Sequence, residues 1–153
     1  MIIKLEQYPS HKEIEVTIKY PQKNSTVERI VSMLRTIDKK IECYSEELIK
    51  MLNISDIYYI ESVYKKTFIY SEKERYQTKF RLYQLYDELK AYGFIQISKY
   101  CIINVNKLDS IKPLFNRRME AILINKIHLN VNRNYFTEFK RRLQEDIYDD
   151  RRN

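Results

Sequence analysis

The side chains best suited to chemistry sit in three short polar stretches: "YKKT" at 64–67, "SKY" at 98–100 and "NRN" at 132–134. Each sets a cation (Lys65 and Lys66, Lys99, Arg133) beside hydrogen-bonding neighbours (Thr67, Ser98 and Tyr100, Asn132 and Asn134). A lysine ammonium is a point charge suited to a phosphate, and an arginine fork can bond O6 and N7 of one guanine together. Asparagine and threonine can read or steady a base or phosphate alongside. A joint that merely reversed the chain between "FIQI" and "CIINV" would favour Asn-Gly or Asp-Gly. A lysine between a hydroxyl and a phenol points instead to a partner outside the fold. A helix beginning at Asn134 would add free N–H groups that favour an anion.

Enzymatic classes find no support. There is no GxSxG, no HExxH and no glycine-rich phosphate loop, and the chain holds 1 glycine in 153 residues. Adjacent carboxylates such as Glu46 and Glu47 point in different directions on any regular element and read as solvated surface. Cys43 and Cys101 lie far apart without CxxC spacing, which predicts two buried reduced thiols, and His11 and His128 are too isolated for a zinc site. Neither a catalytic residue nor a metal or cofactor is expected.

Charge distribution narrows the choice. Residues 94–142 carry ten Lys or Arg against three acidic side chains, whereas residues 1–93 are nearly balanced, so most of the net charge of +7 sits in one third of the chain. That asymmetry suits a polyanionic partner. With neither a long apolar span nor a signal peptide, a cytoplasmic location is expected.

The elements that must position these side chains follow from periodicity. "EIEVTIKY" at 13–20 alternates Ile14, Val16, Ile18 and Tyr20 with polar residues, a half-buried strand whose partner would come from Ile3 and Leu5. "STVERIVSML" then reads as a helix with Ser25 as N-cap and Glu28 completing a capping box. Short strands are predicted near 41–44, 48–52, 57–61, 67–70 and 76–80, with charged turns. "RLYQLYDELKAY" is the clearest helix, with Leu82, Leu85, Tyr86 and Leu89 on one face and Gly93 just after it, where positive φ ends helices. Two hairpins follow, 94–111 and 120–131, and a final helix capped by Asn134 places Phe136, Phe139 and Leu143 together. The pattern is an α+β fold, predominantly antiparallel β.

In order and spacing, "ISDIYYIES…YKKTFIY", "RLYQLYDEL…GFIQISKYCIINVNKLDSIKP" and "HLNVNRNYFTEFK" resemble the LytTR family of bacterial DNA-binding domains. The resemblance covers about 39–145, leaving a strand-strand-helix leader at 1–38 and a charged tail at 146–153. It implies an elongated β-fold whose loops enter successive major grooves of double-stranded DNA, and a transcriptional regulator acting as a homodimer on repeated sites. By position it implies base contact by Thr67 with Lys65 and Lys66 beside it, groove or phosphate contact by Lys99 with Ser98 and Tyr100, and base reading by Arg133 between Asn132 and Asn134. The leader resembles that of stand-alone members without a receiver domain, some of which a small membrane regulatory protein holds inactive. Two rival readings remain at this point, an RNA-binding surface that stacks bases on tyrosines and a protein-interaction module sequestered by such a membrane partner. Tyr58, Tyr70, Tyr76 and Tyr86 fall at core or half-buried positions, which weighs against the first.

Overall fold

The computed structural model describes residues 1–116 and 118–151. Its elements run α1 (Ser25–Thr36), β1 (Lys40–Ser45), β2 (Leu48–Asn53), β3 (Tyr59–Val63), β4 (Lys66–Tyr70), β5 (Arg75–Thr78), α2 (Leu82–Leu89), β6 (Phe94–Ser98), β7 (Cys101–Asn104), β8 (Leu108–Pro113), β9 (Met119–Leu123), β10 (His128–Val131) and α3 (Phe136–Arg151). Strands β1 to β7 form one sheet in the order β2-β1-β5-β4-β3-β7-β6, and β10-β9-β8 form a second. Every pairing is antiparallel. The α+β, mainly antiparallel expectation therefore holds.

The large sheet lies between two cores. On one face Ile60, Ile69, Tyr76 and Ile102 pack with Ile41 and Leu52 of the first hairpin and with Leu82, Leu85 and Leu89 of α2. On the other, Tyr59, Ile95, Ile97 and Ile103 pack with Met119, Ala121, Leu123 and Val131 of the second sheet and with Phe139 of α3. Strands covered on both sides lose alternation and read as continuous apolar runs. That explains the density of apolar residues in 94–104, where Phe94 and Ile102 serve the first core and Ile95, Ile97, Cys101 and Ile103 the second. Within 94–104 the side chain of Asn104 is buried but satisfied: its Nδ2 donates to Ile57 O at 2.8 Å and its Oδ1 accepts from Asn106 N at 3.0 Å.

Gly93 sits where the sequence placed it, after a 3₁₀ turn that extends α2, at φ +87°. A Cβ there would come within 3.5 Å of Asn106 Nδ2, an ordinary contact, so the backbone conformation alone opposes a side chain. Gly93→Ala is expected to destabilise the fold by about 1–2 kcal/mol. An unchanged urea midpoint would show that this corner tolerates a normal φ.

The leader departs from expectation. Helix α1 forms, but its N-cap is Asn24, whose Oδ1 accepts from Val27 N at 3.0 Å, and Ser25 is the buried first helical residue. No strand forms in 1–24, and Ile14, Val16 and Tyr20 are exposed. Alternation marks a face that could be half-buried, yet burial requires a partner sheet, which Ile3 and Leu5, themselves exposed, do not provide. At the other end the helix continues to Arg151 through most of the charged tail assigned to 146–153; Arg152 and Asn153 lie outside the described residues. A further difference is β8, which joins β9 to widen the second hairpin into a sheet.

Candidate nucleic-acid interface

Each polar stretch forms a turn at the same end of the sheet, and the main chain ties the turns together. Tyr64 and Lys65 form the two-residue turn between β3 and β4, with φ of 49° and 66°. Left-handed φ at two non-glycine residues costs roughly 1–2 kcal/mol each, so the surrounding structure must enforce it. Cross-strand pairing of Val63 with Lys66 closes the turn from below, and Arg81 reaches it from beyond β5, its Nη1 donating to Lys65 O at 3.0 Å. Tyr64, 95% exposed, stands at the apex with Lys65 and Lys66 exposed beside it.

The second turn joins β6 to β7 after an irregularity between Gln96 and Ser98. Ser98 Oγ accepts from Tyr100 N at 3.2 Å, so the serine shapes the turn from within. Lys99 and Tyr100 are exposed, with Lys99 Nζ 5.5 Å from the centre of the Tyr100 ring. Tyr100 O accepts from Ser62 N at 2.8 Å, which locks this turn to the strand that carries the first.

Asn132 locks the third turn in the same manner. Its N donates to Ile97 O at 2.7 Å, beside the second turn, and its Oδ1 accepts from Asn134 N at 3.0 Å. Asn132, rather than Asn134, is therefore the cap, and it starts a 3₁₀ turn from Arg133 to Tyr135 before α3. The expected set of free N–H groups at Asn134 is reduced accordingly, since that N–H is already engaged. Arg133 projects from the first residue of this turn and is exposed.

Thr67 requires a correction. It is 3% exposed, paired with Ser62 on one side and Thr78 on the other inside the sheet, so its hydroxyl does not reach the surface. The turn occupies positions 64 and 65, one step earlier than a reading centred on the two lysines implies, and one step along a strand exchanges the inner and outer faces. Sequence reasoning missed Tyr64 and Arg81, and also Lys79, which is exposed one residue beyond β5 at the same end. Tyr-Lys at 64–65 carries no glycine, asparagine or aspartate to announce a left-handed turn, and the strand predicted over 76–80 ran through Lys79, whereas β5 ends at Thr78.

Glu72 and Glu74 lie in the β4–β5 turn at the opposite end of these strands, and the β9–β10 turn meets it there through Asn125 Nδ2 donating to Glu72 O at 3.1 Å. The cationic turns thus share an end that these carboxylates do not. Cys101, beside the Lys99 turn, is not poised for thiolate chemistry: burial, helped by Glu61, pushes its thiol up to about 12. It is free, as is buried Cys43. Among the described residues no helix is long and apolar enough to cross a membrane.

Strands spaced about 4.8 Å apart put the three turns, from β4 through β3, β7 and β6 to the start of the 3₁₀ turn, along a row roughly 20 Å long. A rigid antiparallel scaffold with its cations on turns rather than along a helix face defines a class of loop-presenting, polyanion-binding β-domain. The family model for the LytTr DNA-binding domain matches residues 47–144, and the chain belongs to that family. Among its relatives, the sensory transduction protein LytT of Bacillus cereus is 28% identical over 141 residues, covering 92% of this chain and 54% of that protein. The LytT of Enterococcus faecalis is 29% identical over 103 residues, 67% of this chain and 43% of its own. The transcriptional regulatory protein YpdB of Escherichia coli is 32% identical over 76 residues, 50% of this chain and 31% of its own. The chain spans about half the length of the LytT relatives it matches. A solved LytTr DNA-binding domain from Bacillus cereus has the same fold, with a TM-score of 0.66 at 22% identity over 69% of this chain and 97% of that one.

Proposed function

We propose that this protein is a transcriptional regulator that binds duplex DNA in a sequence-specific manner, with two copies acting on repeated sites. The observation that carries the reading is the main-chain linkage of the three cationic turns, Ser62 N to Tyr100 O and Asn132 N to Ile97 O, which makes them one rigid row. A row of roughly 20 Å exceeds the width of one major groove, about 12 Å, so its two ends can address successive grooves while its middle spans the backbone between them. In this arrangement the Tyr64–Lys65 turn and Arg133 enter grooves, and Lys99 meets the intervening phosphates. Lys65, Lys66, Lys79 and Arg81 supply further phosphate contacts around the first turn. Binding needs no cofactor.

Selection of bound fragments from a random duplex library, followed by competition with single strands of the selected sequence, tests this directly. Enrichment of a repeated motif and poor competition by single strands are expected; equal competition by single strands would overturn the duplex reading. Lys65→Ala and Lys66→Ala keep the β-carbon, and hence the turn, so each is expected to weaken binding to all sequences alike. Each should also reduce the slope of log K against log salt concentration by about 1. A salt titration by fluorescence anisotropy with an unchanged slope would remove that lysine from the phosphate contacts.

A further inference from the structure

Two features of the molecule each lack a counterpart. The segment 13–20 has the alternation of a strand but no sheet: Ile14 is 95% exposed, and Val16 and Tyr20 are also exposed. Meanwhile β2 ends the large sheet with its outer edge unpaired among the described residues, displaying Leu48, Ile49 and Met51 to solvent. The far edge of that sheet, β6, is closed by bonds from Asn132 N to Ile97 O and from Arg142 Nη1 to Phe94 O. A long apolar edge with one lysine is an open template for strand addition.

Charge selects the pairing. The segment runs from acidic (Glu13, Glu15) to basic (Lys19), and the β1–β2 hairpin is acidic at its turn (Glu46, Glu47) and basic at its open end (Lys39, Lys40). A parallel alignment would set like charges side by side, which is unfavourable across strands, whereas an antiparallel one sets opposite charges together. One antiparallel register puts Ile14 opposite Met51, Val16 opposite Ile49 and Glu15 opposite Lys50, with Lys19 running past the end of β2 toward the Glu46–Glu47 turn. Apolar pairs then share the outer face and the Glu15–Lys50 pair falls on the other.

The geometry points to a second copy of this chain as the partner: residues 13–20 of each copy add as an antiparallel strand to β2 of the other, giving a reciprocal two-fold dimer. Ser25, where the segment enters α1, lines a cavity with Gly93, Val105 and Arg142 beside β6. Within one copy residues 13–20 form no strand on β2, which leaves both the segment and that edge open to a neighbouring copy. This inference rests on the reading of paired copies on repeated sites and supplies their contact.

The test is light scattering of the full chain on a sizing column at about 100 µM, with affinity for a single half-site measured in parallel. The native chain is expected to be dimeric, and Val16→Pro and Ile49→Lys monomeric with unchanged half-site affinity and at least tenfold weaker binding to a two-repeat duplex. Glu15→Lys and Lys50→Glu should each dissociate the dimer, and the two together in one chain should restore it. A monomeric native chain, a dimer that survives Val16→Pro, or a double charge reversal that stays monomeric would overturn the inference. So would slow amide exchange at 13–20 in a monomer, which would place the segment on its own β2. Any of these with half-site binding intact leaves the DNA-binding reading standing, and loss of half-site binding by an intact native dimer strikes that reading instead.

Discussion

Replacing Arg133 with alanine is expected to weaken binding to the preferred duplex by about 1–3 kcal/mol and to relax base preference at one position of each half-site. Arg133 is the only arginine among the three turn sequences and is exposed at the first residue of a turn held on both sides by Asn132. That anchoring limits the conformational freedom lost when the fork meets a guanine edge, where two parallel hydrogen bonds discriminate against the other bases. Arg133→Lys separates charge from geometry. It should keep the salt dependence, since a cation remains, yet lose most of the base preference, because an ammonium cannot reproduce the planar fork. Selection experiments on the native chain and both variants, read at single-base resolution, provide the check. If Arg133→Ala leaves affinity and the selected motif unchanged, base reading belongs to another turn, and the exposed Tyr64 apex would be next in line.

How much of this was legible in the sequence depends on which constraint fixed each feature. Local constraints were readable: Gly93 at a helix end with positive φ, the Leu82–Leu85–Leu89 face of α2, and the alternation of Ile127, Leu129 and Val131 through β10. So was the burial of Tyr58 and Tyr76, which removes two rings from any stacking surface. Non-local constraints were not. Thr67 lies one position from the exposed Lys66, and only the cross-strand register with Ser62 and Thr78 decides that its side chain points inward. Asn132 and Asn134 are equally good caps by type; the bond from Asn132 N to Ile97 O, across 35 positions of sequence, makes the first of them the cap. In the leader, alternation predicted a half-buried strand that does not form, because burial needs a neighbouring strand and Ile3 and Leu5, themselves exposed, supply none.

The same dependence on remote packing makes Phe139 the side chain whose loss should cost most. It is 0% exposed and sits in the second core with Ile97 of β6 and Val131 of β10, joining α3 to both sheets. Truncation to alanine removes the ring and leaves a cavity that a rigid sheet interface cannot readily fill, a cost of about 3–5 kcal/mol. For a domain of this size each kcal/mol lowers the midpoint of thermal unfolding by about 2–4 °C, so a drop of roughly 6–20 °C is expected. Phe139→Leu, which retains most of the apolar volume, should show a clearly smaller drop. The functional consequence follows from position: Asn132 hangs from the carbonyl of Ile97, and Ile97 shares this core with Phe139. Below its melting range, Phe139→Ala should therefore lose base preference at the Arg133 position before it loses the salt-dependent attraction carried by Lys65 and Lys66 on the other side of the row. Calorimetry together with motif selection at low temperature would test both parts. A midpoint within 2 °C of the native chain would mean that α3 does not seal the second core, and the third turn would then need another anchor.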